Sequence, residues 1–432
     1  MGDDPTVRNM ETAQEGSAWR ALPILPADVW EIAIDHLWDQ PRTLMACTLV
    51  CSAWYPRSRF HLLRRAVLRK RQDLHGFARV LKRMPSLRHQ VKDLVIERRH
   101  PVLGNRLPVD YLSTAIRMLA GKLPKLDTLC ISHSMVTMET LHPDVFLHMS
   151  IFSSVTRLHF TRLVVWSLST FGNLICALPA IVELRCSSLA VSQKTPFTST
   201  VFSGNKKRAK ITTLYLASHV NKGVIEFLVT TGAAENLQKI TLDNLEISNP
   251  VRMPPNWAIQ QLVNCAGASL TELDMSFSEV PLSLGQADRP DTMLSYATNN
   301  ALRTLTVGVR RLADKHIDWM LSTQPTLKSE RLETIVIVLD SRRQDPPKTP
   351  GGDTPRLLSA VLSPPLCVPL DTMLSSDSFK CVKTVEIRFL ANIFSQVIPD
   401  AKQWEDHVVP CFPRLVQRAI LRTSVKVDMD EP

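Results

Sequence analysis

The stretch LPKLDTLCI, from Leu123 to Ile131, carries the pattern that decides the fold. Pro124 lacks a backbone N–H and holds the residue before it extended, so a helix reaching Leu123 must stop there. Leu126, Leu129 and Ile131 are then apolar, with polar or small residues between, and the alternation at 129 and 131 is that of a strand with one buried face.

The same apolar-x-x-apolar-x-apolar template recurs along the chain. It reads Val91/Leu94/Ile96, Leu126/Leu129/Ile131, Val155/Leu158/Phe160, Ile181/Leu184/Cys186 and Ile211/Leu214/Leu216, then Leu237/Ile240/Leu242, Leu270/Leu273/Met275, Leu302/Leu305/Val307, Leu332/Ile335/Ile337 and Val382/Val385/Ile387. Middle residues stand 26 to 35 apart, except for a last gap of 50. Intervening stretches such as TAIRMLAGKL (114–123) and VIEFLVTTGAAENL (224–237) read as helices. A strand-plus-helix unit repeated at this interval predicts an α/β solenoid over residues 91–427, with a leucine-rich-repeat-like pattern that lacks the usual Asn/Cys position. Phe412-Pro413-Arg414-Leu415 opens a final unit that puts Arg418 where the middle apolar residue belongs, as expected of a terminal cap.

Within such a strand the template residues point to the core, and those flanking the middle position face an open, concave side. That row supplies the candidate substrate-binding residues Arg157, His159, Arg185, Tyr215, Lys239, Glu272 and Asp274, a mixed-sign set suited to a protein surface. An ordinary solvated sheet face is the competing reading. The 50-residue gap holds seven prolines between Pro346 and Pro369, which predicts a mobile insertion over 343–369. Thr349, Thr354 and Ser363 each precede a proline there and are candidate phosphorylation sites.

Upstream, residues 1–20 are polar and read as a disordered lead. The stretch from Leu25 to Pro56 holds three of the chain's eight tryptophans, Trp30, Trp38 and Trp54. Two short helices meet at Asp39-Gln40-Pro41, the second running through Trp54 to Pro56. A third, basic-faced helix passes through Phe60, Leu63 and Val67. Both of the first two are apolar on more than one face, more than a three-helix unit can bury in itself. Residues 63–90 read as a basic helical linker or first repeat helix. Residues 57–100 hold fourteen Lys and Arg against three acids, so the net +10 of the chain resides there. A solvated helix face, an acidic protein partner and nucleic acid all fit such a segment, although aromatic residues for base stacking are few.

Composition narrows the function. The chain is 44% apolar and 21% charged, which is globular. No apolar run approaches the ~18 residues of a membrane span. The N-terminus lacks the apolar core of a secretory signal. Nine dispersed cysteines without a Cys-x-x-Cys step fit buried thiols in a reducing compartment, cytoplasmic or nuclear. Only fourteen glycines occur, none spaced Gly-x-Gly, so a phosphate-cradling loop is not expected. No catalytic residue, metal or cofactor is expected.

Leu25-Pro26-x-Asp28, Val29, Ile32 and Leu37, followed by Leu49-Val50-Cys51-x-x-Trp54, resemble an F-box of the fungal type over residues 22–62, with Asp28 where glutamate is usual. The resemblance implies that Leu25, Pro26, Val29, Ile32, Leu49, Val50 and Trp54 dock a Skp-type linker protein, and through it a cullin–RING ubiquitin ligase. The solenoid would then hold a protein substrate; composition argues against a membrane partner, and nucleic-acid binding stands as a third reading behind the two protein-binding ones. An F-box protein that serves as an interaction scaffold without ubiquitination is the alternative.

Overall fold

The computed structural model describes residues 26–38, 40–98, 110–137, 141–193, 209–248, 255–277, 294–309, 312, 314–341, 354–392 and 398–428. No helix among them is long and apolar enough to cross a membrane. The chain divides into two compact units, Met1–Leu63 and Arg64–Pro432. The expected disordered lead and Leu25 lie outside the described residues.

The first unit is built on α1 (Ala27–Asp35), α2 (Pro41–Val50) and α3 (Tyr55–Arg64). Pro26 starts α1 and Pro41 starts α2, positions where the missing N–H costs nothing. Ile34, Leu44, Cys47, Ser58 and His61 are buried, and the Trp30 and Trp54 rings meet at 4.8 Å. Asp35 accepts the guanidinium of Arg57 and stands 2.7 Å from His61 Nε2, which ties α1 to α3. Arg57 first, then His61, holds the Asp35 carboxyl far below the usual carboxylate range. The expected helix boundaries shift. The second helix ends at Val50, because Cys51 is extended, and the third begins at Tyr55 and tolerates Pro56 in its first turn.

The second unit carries one sheet of twelve strands in sequential order among the described residues. They are β1 (Arg65–Leu68), β2 (Asp93–Glu97), β3 (Thr128–Val136), β4 (Arg157–Val165), β5 (Glu183–Val191) and β6 (Thr213–Asn221), then β7 (Lys239–Ser248), β8 (Glu272–Phe277), β9 (Thr304–Val309), β10 (Thr334–Asp340), β11 (Thr384–Asn392) and β12 (Leu421–Asp428). Every neighbouring pair is parallel, and most successive strands are joined through a helix, the arrangement of an α/β solenoid. Ten template triplets, from Val91/Leu94/Ile96 to Val382/Val385/Ile387, are buried against the helices. Phe160 of β4 meets Phe171 of α7 (Leu168–Cys176) at 5.8 Å, and Trp404 of α13 (Ala401–Val408) donates its indole N–H to Ile387 O at 3.0 Å.

A shared carbonyl joins one repeat to the next. The N–H groups of Asp127 and Thr128 both donate to Lys92 O, those of Thr156 and Arg157 to Asp127 O, and the pattern continues to Lys383 and Thr384 on Glu333 O. Strands β3 to β6 run past the template through a left-handed residue, His133, Arg162, Ser188 and Ser218, at φ of 50° to 56°. That kink costs about 1 kcal/mol per non-glycine residue and turns Ser134, Leu163, Leu189 and Val220 into the core.

Four expectations are corrected. Residues 63–90 are not a purely helical linker: Arg65–Leu68 is the first strand of the sheet, in register with Asp93–Ile96, and α4 (Arg71–Arg83) follows it. The solenoid therefore begins before residue 91. The described part of the Pro-rich segment 343–369 is packed, as α11 (Thr354–Val361) and the start of α12 (Pro364–Leu374), with Leu358, Val361, Leu362 and Cys367 buried. Pro364 and Pro365 occupy the first turn of α12, where proline is tolerated, and only Pro369 removes an interior donor. Thr349 lies outside the described residues. Arg418 is not at a strand centre; it follows α14 (Pro413–Gln417) and donates to Leu374 O and Phe379 O at 2.9 and 3.1 Å, while β12 starts at Leu421. Finally, the helices are shorter than expected: α5 spans Leu112–Leu119 and α8 spans Lys222–Thr230.

Candidate functional site

In the first unit, the side chains that the helices leave outside their core form one apolar set. Val29 and Ile32 stand three apart on α1, Met45 and Leu49 four apart on α2, with Val50 beside them, so each pair shares a helix face. Ile32 is 58% exposed, Leu49 87% and Val50 60%. Pro26 is also exposed. Trp54 differs from the other residues of the motif: it is half-buried against Trp30 and holds the unit together as well as edging the surface. Met45 and Trp38, each 58% exposed, were missed from the sequence, where they read as part of the general apolar surplus.

In the second unit, the parallel register brings the seven expected substrate residues onto five consecutive strands. One row runs Arg157, Glu183, Thr213, Lys239, Glu272 from β4 to β8, and the next runs His159, Arg185, Tyr215, Thr241, Asp274. The face is not open along its whole length, because Thr128, Thr306, Val336 and Val338 on the same side are buried.

Charges in these rows are mostly spoken for. Asp127 takes the Arg157 guanidinium and the Thr156 hydroxyl. Glu183 takes Arg185 and faces His159 Nε2 at 3.4 Å, out of hydrogen-bond geometry. His159, then Arg185, holds the Glu183 carboxyl down at about 2 against the pull of burial. The Arg185 guanidinium lies 5.6 Å over the Tyr215 ring, and Tyr215 donates to Asp243 at 3.1 Å. Lys239 pairs with Glu272 at 2.7 Å. Burial, reinforced by Asp243, pushes Asp274 up to about 6. Asp127 and Asp243 were missed from the sequence; Asp127 follows the first template residue, Leu126, and Asp243 the third, Leu242, so reading every polar residue beside a template position finds them.

The result is a polar surface whose charged side chains are largely paired with one another. Cys130 stands opposite His159 in the ladder, but burial pushes its thiol up to about 11, away from the thiolate a nucleophile requires. Among the described residues, no three His, Cys, Asp or Glu side chains converge to hold a metal.

No family model matches the chain. No curated protein matches it either. Among solved structures, the chain is similar to one titled "Crystal structure of Rad7 and Elc1 complex in yeast", with a TM-score of 0.33 and 10% identity over 84% of this chain and 88% of that one. At that TM-score the likeness carries no inference about either unit.

Proposed function

We propose that the protein is a non-catalytic adaptor: its first unit docks a Skp-type linker protein and its sheet face holds a protein substrate for a cullin–RING ubiquitin ligase. The observation that carries the reading is the apolar set Val29, Ile32, Leu49 and Val50, exposed on a unit whose own core closes without it. The F-box resemblance of residues 22–62 selects the occupant, since those are the positions at which that motif meets its linker. An adaptor of this kind needs no reactive group: it raises the effective concentration of substrate near a ligase. On the second unit, the mixed-sign rows around Arg157, Arg185, Tyr215, Lys239, Glu272 and Asp274 suit selective recognition of a protein, and Arg and Tyr are frequent interface anchors.

Capture of the intact chain with a Skp-type linker and a cullin tests the reading. Both should co-purify, and deletion of residues 22–57 should lose both together. Linker without cullin would instead identify a scaffold that acts without ubiquitination. Absence of the linker would end the F-box assignment.

A further inference from the structure

We propose that the outward face of α4 is a docking surface for an acidic, aliphatic-containing peptide segment of a partner protein. Its charge is the first ground. Arg71, His75, Arg79 and Lys82 are all exposed and recur at steps of three or four residues, so they line one side of the helix, with Lys70 and Arg83 flanking them. The three described acids between residues 65 and 98 are engaged elsewhere: Asp73 with the Arg69 backbone N–H at 3.0 Å, Asp93 opposite Arg64 at 3.9 Å, and Glu97 with Arg69 at 2.5 Å. Arg69 is thereby removed from the cationic row, although in sequence it belongs to the same cluster. Lys70, Arg71, Arg79, Lys82 and Arg83 have no ion pair among the described residues.

Gly76 is the second ground, and it is independent of charge. It sits inside α4, where alanine gives a more stable helix, and a Cβ built there meets nothing within 4 Å. The glycine is therefore not required by packing within the chain. Its left-open gap has Val80 and Arg79 one turn further on, and Arg83 and Met84 two turns on, with Val80 and Met84 aliphatic and 36% and 37% exposed. A cationic row beside an aliphatic edge with a notch for close approach fits an acidic segment carrying a leucine-like side chain. Nucleic acid fits less well: Phe77, the one aromatic of the helix, is half-buried, which leaves no stacking platform.

The test uses the full chain and a short fluorescein-labelled peptide of repeating Glu and Leu in helical pattern, read by anisotropy. Binding should weaken as salt rises from about 0.05 to 0.2 M. Reversal of Arg79, Lys82 and Arg83 to Glu should weaken it by about tenfold or more. Gly76→Leu should weaken it by about tenfold through the notch, with a melting temperature no lower than that of the unaltered chain. No peptide binding, or undiminished binding by Gly76→Leu, overturns the proposal, the latter because diffuse charge alone then explains the data. Tighter binding of a duplex DNA or of phosphatidylserine vesicles that displaces the peptide overturns it as well, and assigns the face to that partner.

Discussion

Replacing Ile32 and Leu49 by alanine should weaken the complex with a Skp-type linker by about thirtyfold while the free chain stays folded. Ile32 and Leu49 are 58% and 87% exposed, so neither contributes much to the core of the unit. Full burial of such a side chain is worth about 2 kcal/mol; scaled by exposure this gives roughly 1.2 and 1.7, and alanine retains about a third, leaving ~2 kcal/mol lost from binding. At a tenfold change per 1.4 kcal/mol that is about thirtyfold in Kd. Calorimetric titration of linker into each variant measures it, with circular dichroism and a melting curve to show that the fold is intact. Trp54→Ala is the poorer probe, because the ring packs on Trp30 and its loss would loosen the unit as well as the interface. Wild-type affinity in a folded double variant would refute the placement of the docking surface on α1 and α2, whatever partners the chain retained.

Three further outcomes follow from the second unit. Arg157→Glu with Tyr215→Ala should lose captured substrate proteins and keep the linker, since the pair removes two anchors and takes one partner each from Asp127, Arg185 and Asp243; capture mass spectrometry that still finds every substrate would move the binding site off the sheet. Deleting residues 354–366 should lower the melting temperature sharply, because Leu358, Val361 and Leu362 together bury side chains worth about 1.5–3 kcal/mol each; an unchanged melting curve would show the segment dispensable. Asp274 is raised from 3.8 to about 6 in the folded chain, so its ionisation opposes folding at pH above 6 and this cost fades as pH falls through 6 towards 3.8. Asp274→Asn should therefore stabilise the chain by roughly 1–2 kcal/mol at pH 7 and hardly at all at pH 4, and a gain equal at both pH values would show that burial of the charge is not the cause.

Period and spacing alone determined the positions of ten strands, β2 to β11, and missed β1 and β12 at the two ends. The residues from Val91 to Ile387 that recur as apolar-x-x-apolar-x-apolar are buried in the sheet where they were expected, because strand alternation and burial are properties of a few neighbouring side chains. The surplus of the first unit was equally legible in Val29, Ile32, Leu49 and Val50, since a short helix apolar on two faces can bury only one. Other features required the tertiary structure. The prolines at 364 and 365 read as breakers until α12 places them in a first turn and the sheet offers Cys367 and Leu370 a core. The left-handed kinks at Arg162 and Ser188 go against local preference and are held by the repeats on either side. Whether Asp127, Glu183 and Asp243 stand free or hold Arg157, Arg185 and Tyr215 depends on contacts between neighbouring repeats and within single strands. The Asp127–Arg157 and Asp243–Tyr215 contacts turn on which groups about thirty residues apart become neighbours, and the pattern within one repeat holds no information about the facing side chain of the next.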